Sequence, residues 1–380
     1  MADIEKFMTV SAGDIEKIMG VEAGDITKVM GVTLVSSQAY EGQTFLLSGG
    51  NTDPYANSTT TDSIQKKTST SNGNSSAFGD MMTGGIKEHA GTGGGGRGIV
   101  SAAGNSPYST QADNANIHYV TIASDGNAAD TNDDVARTVE GTMGSGNGVK
   151  MGIGGGFDGT ESGNDRYGNW MQRYTIAGGS GAEDIGDLQY NGGYDVYNGS
   201  SSTRWIMAAG FSPATTNSYA KDINYMTWSS EGDATDAGDL IYGRSHGKST
   251  VNNESRIIFA SSTSKQPDGG GGFNSVRDHM MEYVNPASTD AGADFGDDVG
   301  DDGSDDADSA TRGGMSNFQD GTRGEFWCGD AVSGNSTGNL TDSIRYVTIA
   351  STAGSADSTD AGNFALHDTG LSSGAGLSGT

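Results

Sequence analysis

His89, His118, His246, His279 and His367 are the side chains best able to carry proton or metal chemistry near neutral pH. No two have the i, i+4 spacing of a zinc-binding helix, and none adjoins a nucleophile motif. Cys328 is the single cysteine, so the chain has neither an internal disulfide nor a cysteine-built zinc site. Its setting, EFWCG, alternates like a strand and makes it a small buried hydrophobe. GTGGGGRG at 91–98 resembles a phosphate loop by its glycines alone: the Lys-Ser/Thr ending is missing. It reads as a flexible loop, as do GGGFDG and GGGGFNS. DDVGDDGSDDADSATRGG at 297–314 is rich in carboxylates but matches no calcium-loop register, and reads as a solvated acidic loop. These residues nominate no catalytic group, no metal site and no cofactor, and the chain reads as a non-enzyme.

The charge narrows the partners. Asp and Glu number 49 against 21 Lys and Arg, a formal charge of -28. Such a surface repels phosphate backbones and excludes nucleic acid as a partner. The N-terminal MADIEKFMTV has no basic stretch followed by an apolar run, so no secretory signal is read. No stretch reaches the ~18 apolar residues of a membrane helix. The chain is expected to fold in the cytoplasm that makes it, without membrane insertion.

Two phrases recur through the sequence. RYVTIAS near residue 349 repeats HYVTIAS near 122, with counterparts at Ser69, Ile176, Trp228 and Pro286. A second phrase starts at a mostly basic residue and reaches a small one six places on. It occurs from Thr44, Arg97, Lys150, Arg204, Arg256 and Arg323. Both keep a step of about 53 residues, longer at the acidic loop, and both count six units. Their alternation of β-branched and aromatic residues predicts strands. A weaker strand is expected to open at Leu188, Leu240 or Phe364. Turn-rich runs lie between, and no helical period appears beyond residue 34.

Helix-free units of this length predict an all-β fold, a six-bladed β-propeller over 34–380. A sandwich or an elongated solenoid is the alternative. Blades converge on an axis, so thin inner strands are needed; Gly49, Gly50, Gly154, Gly155, Gly156, Ala208, Ala209 and Gly210 are assigned to them. The first unit lacks a strand that the tail can supply. Residues 364–371 are expected to close the first blade, with VTLVSSQAY at 32–40 as rival donor.

Residues 1–33 form a second ladder. ADIEKFMTVS, GDIEKIMGVE and GDITKVMGVT repeat every 11 residues. An Asp cap, apolar residues at i, i+3 and i+4, and a glycine stop predict one or two helical turns per copy. The stripe Ile4, Phe7, Met8, Ile15, Ile18, Met19, Ile26, Val29 and Met30 is too short for a core of its own. It reads as an anchor docking on another subunit or assembly, with packing on the propeller's side as the alternative.

The YVTIAS phrase with its Gly-Asn-Ala-x-Asp-type turn, after an Arg-led strand ending Ala-Gly or Gly-Gly, resembles the kelch-like propeller repeats of marine phage structural proteins, cyanophages in particular. The DIxKxMGV ladder resembles segments of such proteins too. The resemblance implies a virion component: a tail or head fibre or a decoration protein, multimeric in its assembly. Residues 1–33 would bind other virion proteins of capsid or tail, and the propeller would meet a host cell-surface receptor or glycan or make lattice contacts. The rival functions are a propeller enzyme acting on host surface polysaccharide and a cytosolic interaction hub.

Overall fold

In the computed structural model the described residues fall mainly within 44–50, 61–82, 89–101, 115–139, 144–158, 167–190, 195–211, 219–245, 249–297, 318–331, 339–351, 357–363 and 375–379, less a few positions inside them, together with four two-residue strands between 17 and 33. Six four-stranded antiparallel sheets arise from them. From the axis outward, blade one is Ala375–Gly379, Thr44–Ser48, Ser63–Thr68 and Ser76–Asp80. Blade two is Gly91–Gly94, Arg97–Ser101, Asn116–Thr121 and Ala129–Asp134. Blade three is Gly144–Gly146, Lys150–Gly154, Trp170–Thr175 and Glu183–Asp187. Blade four is Tyr197–Ser200, Arg204–Ala208, Asp222–Thr227 and Thr235–Asp239. Blade five is Ser249–Asn252, Ile257–Ala260, Met280–Val284 and Ala293–Asp297. Blade six is Phe318–Gln319, Arg323–Ala331, Asn339–Thr348 and Thr359–Asn363. Each innermost strand touches that of the next blade, and blade one's touches blade two's, so the ring is closed. The chain is a six-bladed β-propeller.

The two sequence phrases are the second and third strands of every blade. The other two strands were hidden by composition. The outer strand, TDAGD in blade four, lies where the sequence reads as turn; Leu188 and Leu240 follow it rather than opening a strand. The innermost strand is glycine-rich, and GTGGGGRG supplies one, not a loop. Taper acts there: a Cβ on Gly94 would lie 2.4 Å from the Gly148 carbonyl oxygen, and one on Gly144 2.7 Å from Gly91. The doublets assigned to the taper do something else. Gly49 and Gly50, Gly155 and Gly156, and Ala209 and Gly210 have positive φ at the exit of the second strand, where a side chain costs energy.

Closure also departs from expectation. Ala375–Gly379 pairs with Thr44–Ser48, whereas the expected segment 364–371 lies outside the described residues. The tail is the donor, with its pairing segment further along. In the second and third copies of the N-terminal ladder the expected helical turns are corrected to paired strands, and the first copy lies outside the described residues. Lys17–Ile18 pairs with Val21–Glu22, and Lys28–Val29 with Val32–Thr33, in one register. Two residues join each pair, Met-Gly in both. A glycine in a two-residue connection suits a hairpin, and β-branched neighbours favour strand over one-turn helix.

A cation joins neighbouring blades at all six interfaces, from the start of the second strand in four and from the third strand at Arg173 and Lys66; Lys150, which opens blade three's second strand, also reaches the Trp228 carbonyl. Arg97 reaches the Ala177 carbonyl at 3.1 Å. Arg173 reaches Trp228 and Ser230, and Arg204 reaches Pro286 and Ser288. Arg256 reaches Ile349 and Ser351, Arg323 reaches Asn72, and Lys66 reaches Asp125. In four blades the cation also lies over a tyrosine of its own third strand: Arg97 on Tyr119, Arg204 on Tyr225, Arg256 on Tyr283 and Arg323 on Tyr346. This is why the second phrase opens on a basic residue. The outer strands are covered in turn: Gly126 donates to the Phe78 carbonyl, Gly232 to Ile185, and Gly73 to Ala361. With Ala182 donating to Asp134 and Gly292 to Asp239, five of the six outer edges are met by the next blade among the described residues.

Candidate binding face

Strand order sorts the connections onto two faces. One face carries the short turns, such as 95–96 and 147–149. The other carries the long connections between second and third strands and those from each outer strand to the next blade. On that loop-bearing face the connector leaving an outer strand is pinned by the third residue of the following blade's third strand. Gln172 Oε1 accepts from the Arg137 amide at 2.7 Å and its Nε2 donates to the Arg137 carbonyl at 2.8 Å. Asn224 accepts from Gln189 N at 2.8 Å, and Glu282 from Ile241 N at 3.2 Å. The pinning groups are buried and polar because the partner is main chain that strand pairing leaves over. Each stands at a β-bulge that frees it.

The pinned residues are thereby turned outward at one repeat position: Arg137, Gln189 and Ile241, with Met82 in the matching place. Met82 is 55% exposed and Ile241 43%; the third large exposed hydrophobe among the described residues, Val149, belongs to the other face.

The loops of blades three to five are knitted together. Phe157 bridges Tyr167, and Phe211 bridges Tyr219. Ring centroids stand 5.4 Å apart from Phe157 to Tyr167 and again from Tyr167 to Phe211, then 6.4 Å to Tyr219. Gly243–Ser245, Ser262–Pro267 and Phe273–Asp278 form an added three-stranded sheet. It is bolted to blade four through the Arg244 main chain, which bonds Gly210 and Ala220, and to blade five through Arg244 Nη2 and Glu282 Oε1 at 3.0 Å, both fully buried.

Beside the aromatic row Arg137 is held from three sides. Gln172 fixes its main chain, Trp170 lies under its guanidinium at 4.0 Å, and Asp158 accepts from Nη1 at 3.3 Å. The Asp158 side chain is 9% exposed and that of Arg137 37%.

The residues singled out for chemistry do not assemble. His118 is buried in blade two, and burial lowers its pKa. His89 is buried beside the Ser48 hydroxyl. His246, His279 and His367 lie outside the described residues, as do residues 298–314 of the acidic stretch. Among the described residues no three His, Cys, Asp or Glu side chains gather as metal ligands. Of the anchor residues, Ile18 and Val29 lie in the two hairpins; Ile4, Phe7, Met8, Ile15, Met19, Ile26 and Met30 are outside the described residues. GGGFDG and GGGGFNS are corrected from loops. The first supplies Phe157 and Asp158, and the second opens the strand Phe273–Asp278. Phe after a small doublet at both 157 and 211, with Tyr167 and Tyr219 following, was the signal available for this face.

Comparison with known proteins shows the architecture alone. No family model and no curated protein matches the chain. The solved structure of YjhT aligns with a TM-score of 0.58 at 10% identity, covering 87% of this chain and 100% of that one.

Proposed function

We propose that the chain is a non-enzymatic binding protein whose loop-bearing face meets its target and whose residues 1–33 tether the propeller to a larger assembly. The observation that carries this reading is the single repeat position that presents Met82 and Ile241 outward on one face. Met82 follows blade one and Ile241 blade four, so apolar side chains face outward at two sides of the same face, and long loops on a rigid ring are where binding residues sit. The setting is a virion, as the sequence resemblance implies, with host attachment or lattice contact as the task.

Two measurements test it. Mass spectrometry of purified particles from the source should find the chain; its absence from them rejects the virion setting. Met82→Asp with Ile241→Asp should abolish attachment to the host surface while leaving the thermal melt unchanged. Attachment that survives rejects the face. Degradation of host polysaccharide by the purified protein would replace binding with catalysis.

A further inference from the structure

We propose that Arg137, Asp158, Tyr167 and Phe211 form a binding site for a neutral saccharide, a site that rests on the loop-bearing face being the one that meets the target. Among the described residues the other arginines with described side chains serve the fold. Arg97, Arg173, Arg204, Arg256 and Arg323 clamp neighbouring blades. Arg244 is sealed against Glu282, and Arg345 bonds Ser358 within its own blade. Arg137 lies in the connector leaving blade two, and its guanidinium meets blade three alone. Its side-chain contacts are Trp170 and Asp158, and its Nε and Nη2 donate to no protein group. A guanidinium with a fixed main chain, a fixed plane and donors left over is organised for an oxygen ligand before one arrives.

The surroundings choose the ligand. Asp158 neutralises Arg137 within the site, the chain carries a formal charge of -28, and Asp187 stands near enough that Arg137 draws its pKa down against burial and the neighbouring Asp233 carboxylate, which together raise it. An anion gains nothing here. A hydroxyl accepts from the free Arg137 donors with no ionic cost. The partly exposed rings of Tyr167 and Phe211 then offer apolar faces to the C–H side of a pyranose. Paired acid and base near a row of tilted, partly exposed rings suits a polyol with one apolar face.

Calorimetric titration of the full chain with neutral glucose-, galactose- and mannose-based hexasaccharides tests the site, with hexagalacturonate as the acidic comparison. At least one neutral probe should bind, and more tightly than hexagalacturonate. Arg137→Ala should weaken it about tenfold, the size of one charged hydrogen bond, and Tyr167→Ala should weaken it as well. Arg137→Lys, which keeps the charge, should not restore it. No binding by any neutral probe, tighter binding of hexagalacturonate, or wild-type affinity in the Arg137→Ala and Tyr167→Ala variants would overturn the site. A thermal melt of each variant separates lost binding from lost folding. Attachment that is lost in the Met82→Asp, Ile241→Asp chain but kept in Arg137→Ala overturns the saccharide site and leaves the face standing.

Discussion

Five of the six blade interfaces meet through apolar side chains, and the sixth does not. In the apolar ones, the residue two places after the opening of the second phrase faces the residue two places before the Ile122-type position of the next blade. Leu46 shares a cluster with Val120, Ile99 with Tyr174, Ile206 with Val284 and Ile258 with Val347. Between blades three and four Gly152 makes room for Trp205, which packs with Met226. Between blades six and one the same two positions are Glu325 and Lys67, paired at 2.6 Å with side-chain exposures of 0% and 1%. Arg323 and the Trp327 indole also reach Glu325, and Ser69 takes the place of an apolar residue, its buried hydroxyl without a partner. Burial pushes the Lys67 ammonium's pKa down and the Glu325 carboxyl's up, each against the attraction of the other. The pair therefore adds little net stability over a matched apolar contact. What it adds is discrimination. The seam joins residues 258 positions apart, and a charged pair at one interface of six disfavours an apolar blade in that place.

The sharpest way to break this contrast is to remove one partner. Lys67→Met should cost about 3–5 kcal/mol in urea unfolding because the buried Glu325 carboxylate loses its buried ammonium and keeps only Arg323 and the Trp327 indole. Lys67→Met with Glu325→Leu should return to within about 1 kcal/mol of the parent or exceed it. A double variant as weak as the single one would mean that the pair stabilises outright. At an apolar interface, Ile258→Ala should cost about 3 kcal/mol by leaving a cavity, with no second substitution on Val347 able to restore it. The clamps surround all six interfaces and should matter less. Arg204→Met removes a cation–ring contact and two carbonyl bonds, and about 1–2 kcal/mol is expected in the same assay.

The smallest effect sharpens the comparison through pH. Tyr174, in the interface of blades two and three, has its pKa raised to about 12 by burial first, then by its Asp133 partner. An acid whose pKa is raised on folding favours the folded state below its unfolded value near 10. That contribution fades as pH climbs from about 10 to about 12, so stability should fall across the window. Partly buried Tyr190, also raised by desolvation first, acts in the same sense. Tyr174→Phe should flatten the fall measurably in melts taken across that range.

Much of this ring was legible before any coordinates. The second and third strands carry β-branched and aromatic side chains on two buried faces, so YVTIAS and RWIMAAG declare themselves. The outer strand does not, because TDAGD pairs on one side only and presents Asp to solvent, which gives it the composition of a turn. The inner strand does not either, because the axis admits glycine where strand propensity asks for bulk. The ladder misled for a different reason: Asp caps and i, i+4 spacing fit a helical turn as well as a hairpin, and the paired register Ile18↔Val21 decides. The binding face was hidden because Arg137 is turned outward by Gln172, 35 positions away, and no local pattern records that.

Finally, the hub strand Ala375–Gly379 sets a schedule. Blade one holds its three outer members from the start of synthesis, yet its axial member emerges after every other blade has been made. The nascent ring must wait as an open arc, and translation cut short before residue 375 yields an arc that never shuts. Arrival of Ala375–Gly379 is thus what converts the arc into a ring.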